Sequence, residues 1–257
     1  MLTIGFIGAG NMGGAMANAS SKIGEVYIYD KNTAVYNNFP AEIKRADSIN
    51  EVLQNCKIIV LSIKPQFYAD VIAEIKGKIG EDQLVVTVSP SHTLQNMKDA
   101  LGDVKLIRTM PNTPALIGSG VTAYTTVDTI DEELLDAFKA YFESFGSLTF
   151  VNEKLMPAVV AATGSSPAYV YMFIEAMADA AVSFGMPRAQ AYEMVAAAVK
   201  GSAEMVLETK KHPGELKDAV TSPAGTTIDA VIALEDAGFR SAVIKGMQAC
   251  YNKVLNM

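Results

Sequence analysis

Gly8, Gly10 and Gly13 stand at G-x-G-x-x-G spacing in Gly8-Ala9-Gly10-Asn11-Met12-Gly13, directly after the apolar run Leu2–Ile7 and at the head of the Ala- and Met-rich stretch Asn11–Lys22. The first stretch reads as a buried strand and the second as a helix, which puts the glycines on the turn between them. In that setting the three glycines permit, in order, a tight turn, close approach of a diphosphate, and close packing of helix on strand. The helix N-terminus adds N–H groups and partial positive charge for the diphosphate. The first 21 residues carry no charged side chain, and an acidic group among them would repel such a ligand. A secretory leader or a membrane span is a poorer reading of that gap. The segment has no basic start, and glycines interrupt its apolar run far short of the roughly 20 residues a span needs.

Short, mostly β-branched runs recur at Val26–Tyr29, Ile58–Ile63, Leu84–Ser89, Val104–Met110, Val121–Thr125 and Leu148–Val151. Helical patterns lie between them at Ile49–Asn55, Phe67–Lys76, Leu94–Leu101 and Asp131–Phe145. This alternation predicts an α/β domain over residues 1–151, a Rossmann-type doubly wound parallel sheet with helices on both faces. After Val151 the texture changes. Residues Ala158–Ala203 hold 14 alanines and no strand-like cluster, which predicts an all-helical domain over residues 152–257. Ser165–Phe184 is apolar on nearly every face apart from Glu175 and Asp179. A helix of that kind packs against a second subunit or lies inside a small bundle of its own; the first reading makes this a dimerisation domain.

Lys plus Arg number 21 against 28 Asp plus Glu, a net charge of −7. That balance argues against nucleic acid or an anionic membrane as the main partner and leaves room for a local basic pocket. Cys56 and Cys250 have no CxxC spacing, so neither a disulfide framework nor a thiolate metal site is expected, and a reducing cytoplasm suits the chain.

Asp30 closes the second strand 20 residues after Gly10, where a carboxylate accepts hydrogen bonds from the adenosine ribose hydroxyls and favours NAD(H). Lys31, Asn32 and Thr33 follow at once, a cation and two small polar groups equally suited to the 2′-phosphate of NADP(H). Ser62-Ile63-Lys64-Pro65 leaves the carboxyl end of another strand, the edge at which doubly wound sheets bind ligands. Its backbone carries more weight there than the Lys64 ammonium. Near the other end, Thr221-Ser222-Pro223-Ala224-Gly225-Thr226-Thr227 precedes an amphipathic helix. Ser222 fits an N-cap and Pro223 the first helical position. The small residues Ala224 and Gly225 and the hydroxyls of Thr226 and Thr227 suit a carboxylate-binding helix start.

With these motifs the sequence resembles the pyrroline-5-carboxylate reductase family, which reduces a cyclic imino acid to proline. Besides Gly8–Gly13, the resemblance rests on Ile63-Lys64-Pro65, on Arg108-Thr109-Met110-Pro111-Asn112-Thr113-Pro114, on Ala161–Tyr169 and on Asp218–Glu235, so it spans nearly the whole chain. It implies NADPH or NADH as cofactor, with contacts from Ser89, Met110 and Asn112 beside those already named. It also implies an imino-acid site at Ser222, Ala224, Gly225, Thr226 and Thr227. Thr227 orients the imine nitrogen in this reading, and the helical domain builds a dimer whose association into rings of five gives a decamer.

The sequence departs from the family pattern at Ala224, where a second glycine is usual and a methyl group narrows the pocket, and at Ser89-Pro90-Ser91-His92, where an Ala-Ala-Gly turn is usual. Imine reduction needs no protein nucleophile, and the two histidines, His92 and His212, suit that modest demand; His212 beside Pro213-Gly214 reads as a solvated turn residue. Two rival readings are a β-hydroxyacid-dehydrogenase-like oxidoreductase, which needs a lysine that Gly164–Tyr169 lacks, and a dinucleotide-sensing protein without turnover.

Overall fold

The computed structural model describes residues 2–256. The described residues up to Ser165, together with those from Cys250 on, form one compact unit, and Ser166–Ala249 forms another.

The first unit is built on eight strands in the order β3-β2-β1-β4-β5-β6-β7-β8. They are β1 (Ile4–Ile7), β2 (Val26–Tyr29), β3 (Lys44–Arg45), β4 (Ile58–Leu61), β5 (Leu84–Thr87), β6 (Lys105–Met110), β7 (Gly120–Thr125) and β8 (Gly146–Phe150). β1 pairs in parallel with β2 on one side and β4 on the other, Ile4 facing Val26 and Ile58. The strand order therefore reverses at β1, and a crevice opens beyond the carboxyl ends of β1 and β4. Alternate side chains feed two cores, as a sheet covered on both faces requires. Ile4, Phe6 and Val60 pack beneath α1 (Asn11–Ser20) and α5 (Glu132–Glu143). Ile7, Ile59 and Leu61 pack beneath α2 (Ile49–Asn55), α3 (Tyr68–Ile75) and α4 (Leu94–Leu101).

The sheet differs from the expected one in two places. β7 runs antiparallel to β6, because residues 111–119 hold only a 3-10 turn, Thr113–Ile117, and a parallel return needs a crossover of a dozen or more residues. β3, absent from the sequence reading, is two exposed residues paired with β2; nothing apolar marks it.

The second unit is helical. It contains α7 (Ser166–Ser183), α8 (Arg188–Thr209), α9 (Pro213–Ala219), α10 (Thr226–Asp236) and most of α11 (Phe239–Leu255), while α6 (Met156–Val159) and a π turn, Val160–Gly164, belong to the first. Of its described residues only Ala178, Ala191 and Val195 are buried, while Tyr171, Met172 and Phe184 stand 60%, 69% and 85% exposed. His212 is exposed, as its place beside Pro213-Gly214 predicts, and its Nδ1 also accepts the Gly214 N–H, 3.1 Å away, which caps α9.

Where β7 and β8 begin, Gly120 faces Gly146. Gly146 has φ +146, and a Cβ on it would overlap the Gly120 carbonyl. Gly146→Ala is expected to lower stability by about 2–4 kcal/mol through combined backbone strain and overlap. Urea unfolding of the two proteins side by side measures this; a loss under ~0.5 kcal/mol would show that the strand pair can yield.

Candidate active site

The glycine turn is held from three sides. The Gly8 N–H donates to the Tyr29 carbonyl at 2.8 Å, Ser62 Oγ donates to the Gly8 carbonyl at 2.6 Å, and the Ala9 N–H donates to Asp30 Oδ2 at 2.8 Å. Gly8 has φ +100, and a Cβ there would lie 2.6 Å from the Ser62 carbonyl; one on Gly13 would overlap the Gly8 carbonyl. Both positions are glycine for reasons internal to the fold. Gly10 is different: its φ is −70, and a Cβ on it would meet nothing within 4 Å. The protein itself has no need of a glycine here, whereas a ligand lying against the N-terminus of α1 does. Gly10 caps that helix without a side-chain bond, and no acidic residue stands in the first turn. The leading N–H groups of α1 are thus left for an anion.

Two hollows flank Gly10. One, of about 400 Å³, reaches toward β2 and is lined by Tyr29, Asp30, Lys31 and Asn32. The other, of about 510 Å³, reaches toward β5 and β6 and is lined by Asn11, Met12, Val88 and Pro111. Gly10, Ser62, Ile63 and Lys64 line both, so the two make one track across the switch point. Lys31 and Lys64 are exposed, and among the described residues neither ammonium has an ion pair. Asp30 is occupied on both oxygens, Oδ2 by the Ala9 N–H and Oδ1 by the Asn32 N–H, each at 2.8 Å. Asn32 Oδ1 in turn accepts the Ala34 N–H, which leaves its amide N–H groups to act as donors.

Most of the cofactor residues expected from sequence line this track, and Tyr29, Val88 and Pro111 join them; Pro111 lies within the run Arg108–Pro114, whereas no site motif points to Tyr29 or Val88. Pro65 opens the 3-10 turn Pro65–Phe67. Ser89, Met110 and Asn112 are buried beside the track. The Asn112 side chain donates to the Thr163 carbonyl and accepts the Val121 N–H. Met110 packs with Ala123 and Met156. Ser89 Oγ lies 2.7 Å from His92 Nδ1. Burial, and then the positive charge of Arg108, hold the His92 pKa below its ordinary 6.5; the ring is neutral at pH 7. Burial drives the Cys56 thiol up to about 12, which removes it from thiolate chemistry. Among the described residues no three His, Cys, Asp or Glu side chains gather as a metal site, and no helix is long and apolar enough to cross a membrane.

In the second unit the expected helix start is displaced. Ser222 is not an N-cap, nor Pro223 the first helical residue. Ser222–Gly225 forms a turn closed by the Gly225 N–H on the Ser222 carbonyl at 3.1 Å, and α10 begins at Thr226 with Gly225 as its cap. Proline at the second turn position with positive φ at the third is the type II pattern. Ala224 holds that third position at φ +56, a strain of about 1 kcal/mol or more that glycine would not feel. A Cβ on Gly225 would overlap Ser222 Oγ. Thr226 and Thr227 become the first two helical residues, both exposed, with Asp229 the acidic group of that turn.

The chain is 47% identical to pyrroline-5-carboxylate reductase of Escherichia coli strain K12, over 97% of this chain and 96% of that one. It belongs to the pyrroline-5-carboxylate reductase family. The family's dimerisation domain matches residues 153–257, and a coenzyme F420-dependent NADP oxidoreductase domain matches residues 3–91. The Glycine max reductase is 35% identical over 96% of this chain and 93% of its own. Two solved family members share the fold, each with a TM-score of 0.89. The Streptococcus pyogenes enzyme is 30% identical, with coverage of 100% of this chain and 99% of that one. The Plasmodium falciparum protein, crystallised with NADP bound, is 28% identical, with coverage of 98% and 97%.

Gly10→Asp is expected to abolish dinucleotide binding while leaving the fold intact, since the new side chain enters open space where a diphosphate approaches. Titration with NADH, followed by nicotinamide fluorescence, tests it; wild-type affinity in the variant would take the glycine turn out of the site.

Proposed function

We propose that this chain is an NAD(P)H-dependent reductase that converts the cyclic imine 1-pyrroline-5-carboxylate to L-proline, the last step of proline biosynthesis. The observation that carries the reading is Gly10, unneeded by the fold and open to the track on both sides, in a chain of this family. When bound, the reduced nicotinamide supplies the hydride that adds to the imine carbon. The chain's own part is to bind, orient and exclude water. The α1 N–H groups behind Gly8-Ala9-Gly10-Asn11-Met12-Gly13 would hold the diphosphate, and the Lys64 ammonium, which lines both hollows, would add positive charge. Ser62 and Ile63 line the middle of the track, Pro65 opens the turn that follows them, and Ser89, Met110 and Asn112 would support the nicotinamide half from behind.

Both NADH and NADPH fit this reading. Asp30 keeps lone pairs for a ribose hydroxyl beyond its two N–H partners, and Lys31 and Asn32 offer a 2′-phosphate a charge and two donors. The NADP named with the Plasmodium falciparum structure supports the second cofactor. We assign residues 1–151 to dinucleotide binding and 152–257 to substrate binding and self-association. In the latter, Ser222, Ala224, Gly225 and Thr226 receive the substrate carboxylate at the start of α10, and Thr227 orients the imine nitrogen. A cytoplasmic setting agrees with two free cysteines.

Steady oxidation of NADH or NADPH on adding pyrroline-5-carboxylate is the direct test; no oxidation with either refutes the reading. In the active protein Thr227→Ala is expected to lower the rate roughly 10- to 100-fold, at or below the lower end of a general acid's contribution, since water can protonate this imine beforehand. Cofactor affinity is expected to stay unchanged, and Thr226→Ala to cost less. Full activity in Thr227→Ala would move the orienting role to another residue.

Self-association of the second unit is supported by its exposed apolar residues, since patches of that extent mark interfaces. Light scattering is expected to give twice the chain mass of 27.4 kDa for a dimer, or ten times for five associated dimers. A species of one chain mass at micromolar concentration would refute both.

A further inference from the structure

Where β5 leaves the sheet, the turn Ser89-Pro90-Ser91-His92 carries polar side chains of which only Ser89 has so far been given a part in the reduction. The His92 ring stacks on Tyr68, centroids 4.1 Å and planes 16° apart. Tyr68 is itself fixed: its Oη donates to the Leu61 carbonyl and lies 2.8 Å from Thr87 Oγ1. From the other side Arg108, 4% exposed, donates through Nη2 to the Pro90 carbonyl at 2.7 Å and through Nη1 to Glu153 Oε1 at 2.9 Å. Glu153 Oε1 also accepts the Leu94 N–H at 2.8 Å. The turn is thus gripped from α3, β6 and the segment after β8. Inside it, Ser89 is 2% exposed with Oγ 2.7 Å from His92 Nδ1. The residue before Ser89 is Val88, a wall of the hollow on the β5 side. His92 lines neither hollow.

We infer that His92 is a positioning residue for the reduction, acting through Ser89: their hydrogen bond, with the imidazole seated on Tyr68, fixes the backbone at Val88 and with it the wall against which the nicotinamide ring rests. The inference depends on the reading of the track as a dinucleotide site. With Asp30 at the adenosine end, the hollow at Val88 and Pro111 takes the nicotinamide. Hydride transfer tolerates little error in position, because reacting atoms must meet at about 3–3.5 Å and a 1 Å displacement costs on the order of a hundredfold. A turn that shifts by a fraction of that distance alters the rate of the chemical step while leaving the binding contacts of the track in place.

Three variants of the full chain separate the parts. His92→Phe keeps a ring over Tyr68 and removes Nδ1; His92→Asn keeps a polar atom at the Nδ1 position and removes the ring; Ser89→Ala removes the hydroxyl. His92→Phe and Ser89→Ala are each expected to lower kcat with pyrroline-5-carboxylate roughly tenfold, with both KM values within about twofold of wild type. The double variant is expected to fall no further than either single one, and His92→Asn to recover most of the loss. A second readout needs no turnover: the anisotropy decay of bound NADPH is expected to gain a fast component in His92→Phe and Ser89→Ala at unchanged dissociation constant. Wild-type kcat and anisotropy in Ser89→Ala would overturn the inference. So would a loss that enters KM, dissociation constant and melting temperature alike in both variants. A wild-type chain that binds NADPH without reducing pyrroline-5-carboxylate would refute the proposed reaction instead, and the anisotropy comparison would then decide the role of the pair.

Discussion

The left-handed backbone at Gly8 is the point on which the first unit is hung. Its N–H is taken by β2 and its carbonyl by Ser62 at the end of β4, so one residue ties the ends of three strands. Gly13 lies against that same carbonyl, which brings the first turn of α1 down onto the strand end and aims its unpaired N–H groups out over the carboxyl edge. The two hollows, the exposure of Gly10 and the approach of Lys64 follow from that one placement. Asp30 belongs to the same device: its grip on the Ala9 N–H holds the turn from the β2 side, so the residue read as a ribose acceptor is also a brace.

The sign of the charge reverses between the whole chain and the cleft. The chain carries −7, yet at the track two ammonium groups have no ion pair among the described residues, the first turn of α1 holds no acid, and the carboxylate of Asp30 is already engaged by two N–H donors. Long-range repulsion of polyanions and local attraction of a small one are compatible, because screening confines exposed charges to about 8–10 Å.

The strand pattern, the glycine turn and the helices over the sheet were legible because each is a local signal: a period, a β-branched run, a spacing. The direction of β7 was also written in the chain, in the shortness of 111–119, but takes a geometric argument to extract. The start of α10 was not decidable locally. Serine followed by proline fits both a capped helix and a turn, and the choice falls to Ala224, whose positive φ no sequence rule would assign to alanine. The grip on Ser89–His92 was out of reach for another reason. Tyr68, Arg108 and Glu153 are brought to it by the sheet order, and Glu153 lies 59 positions from Leu94, to whose N–H it bonds.

The meagre core of Ser166–Ala249 has a thermodynamic consequence. A helical unit that hides three side chains from water gains too little apolar burial to offset the conformational entropy of ordering its own backbone. Self-association that covers its exposed apolar residues would supply the missing area, and folding and assembly would then be a single equilibrium governed by mass action. In such a protein the melting temperature is a function of protein concentration, and dilution acts on the fold much as a denaturant does.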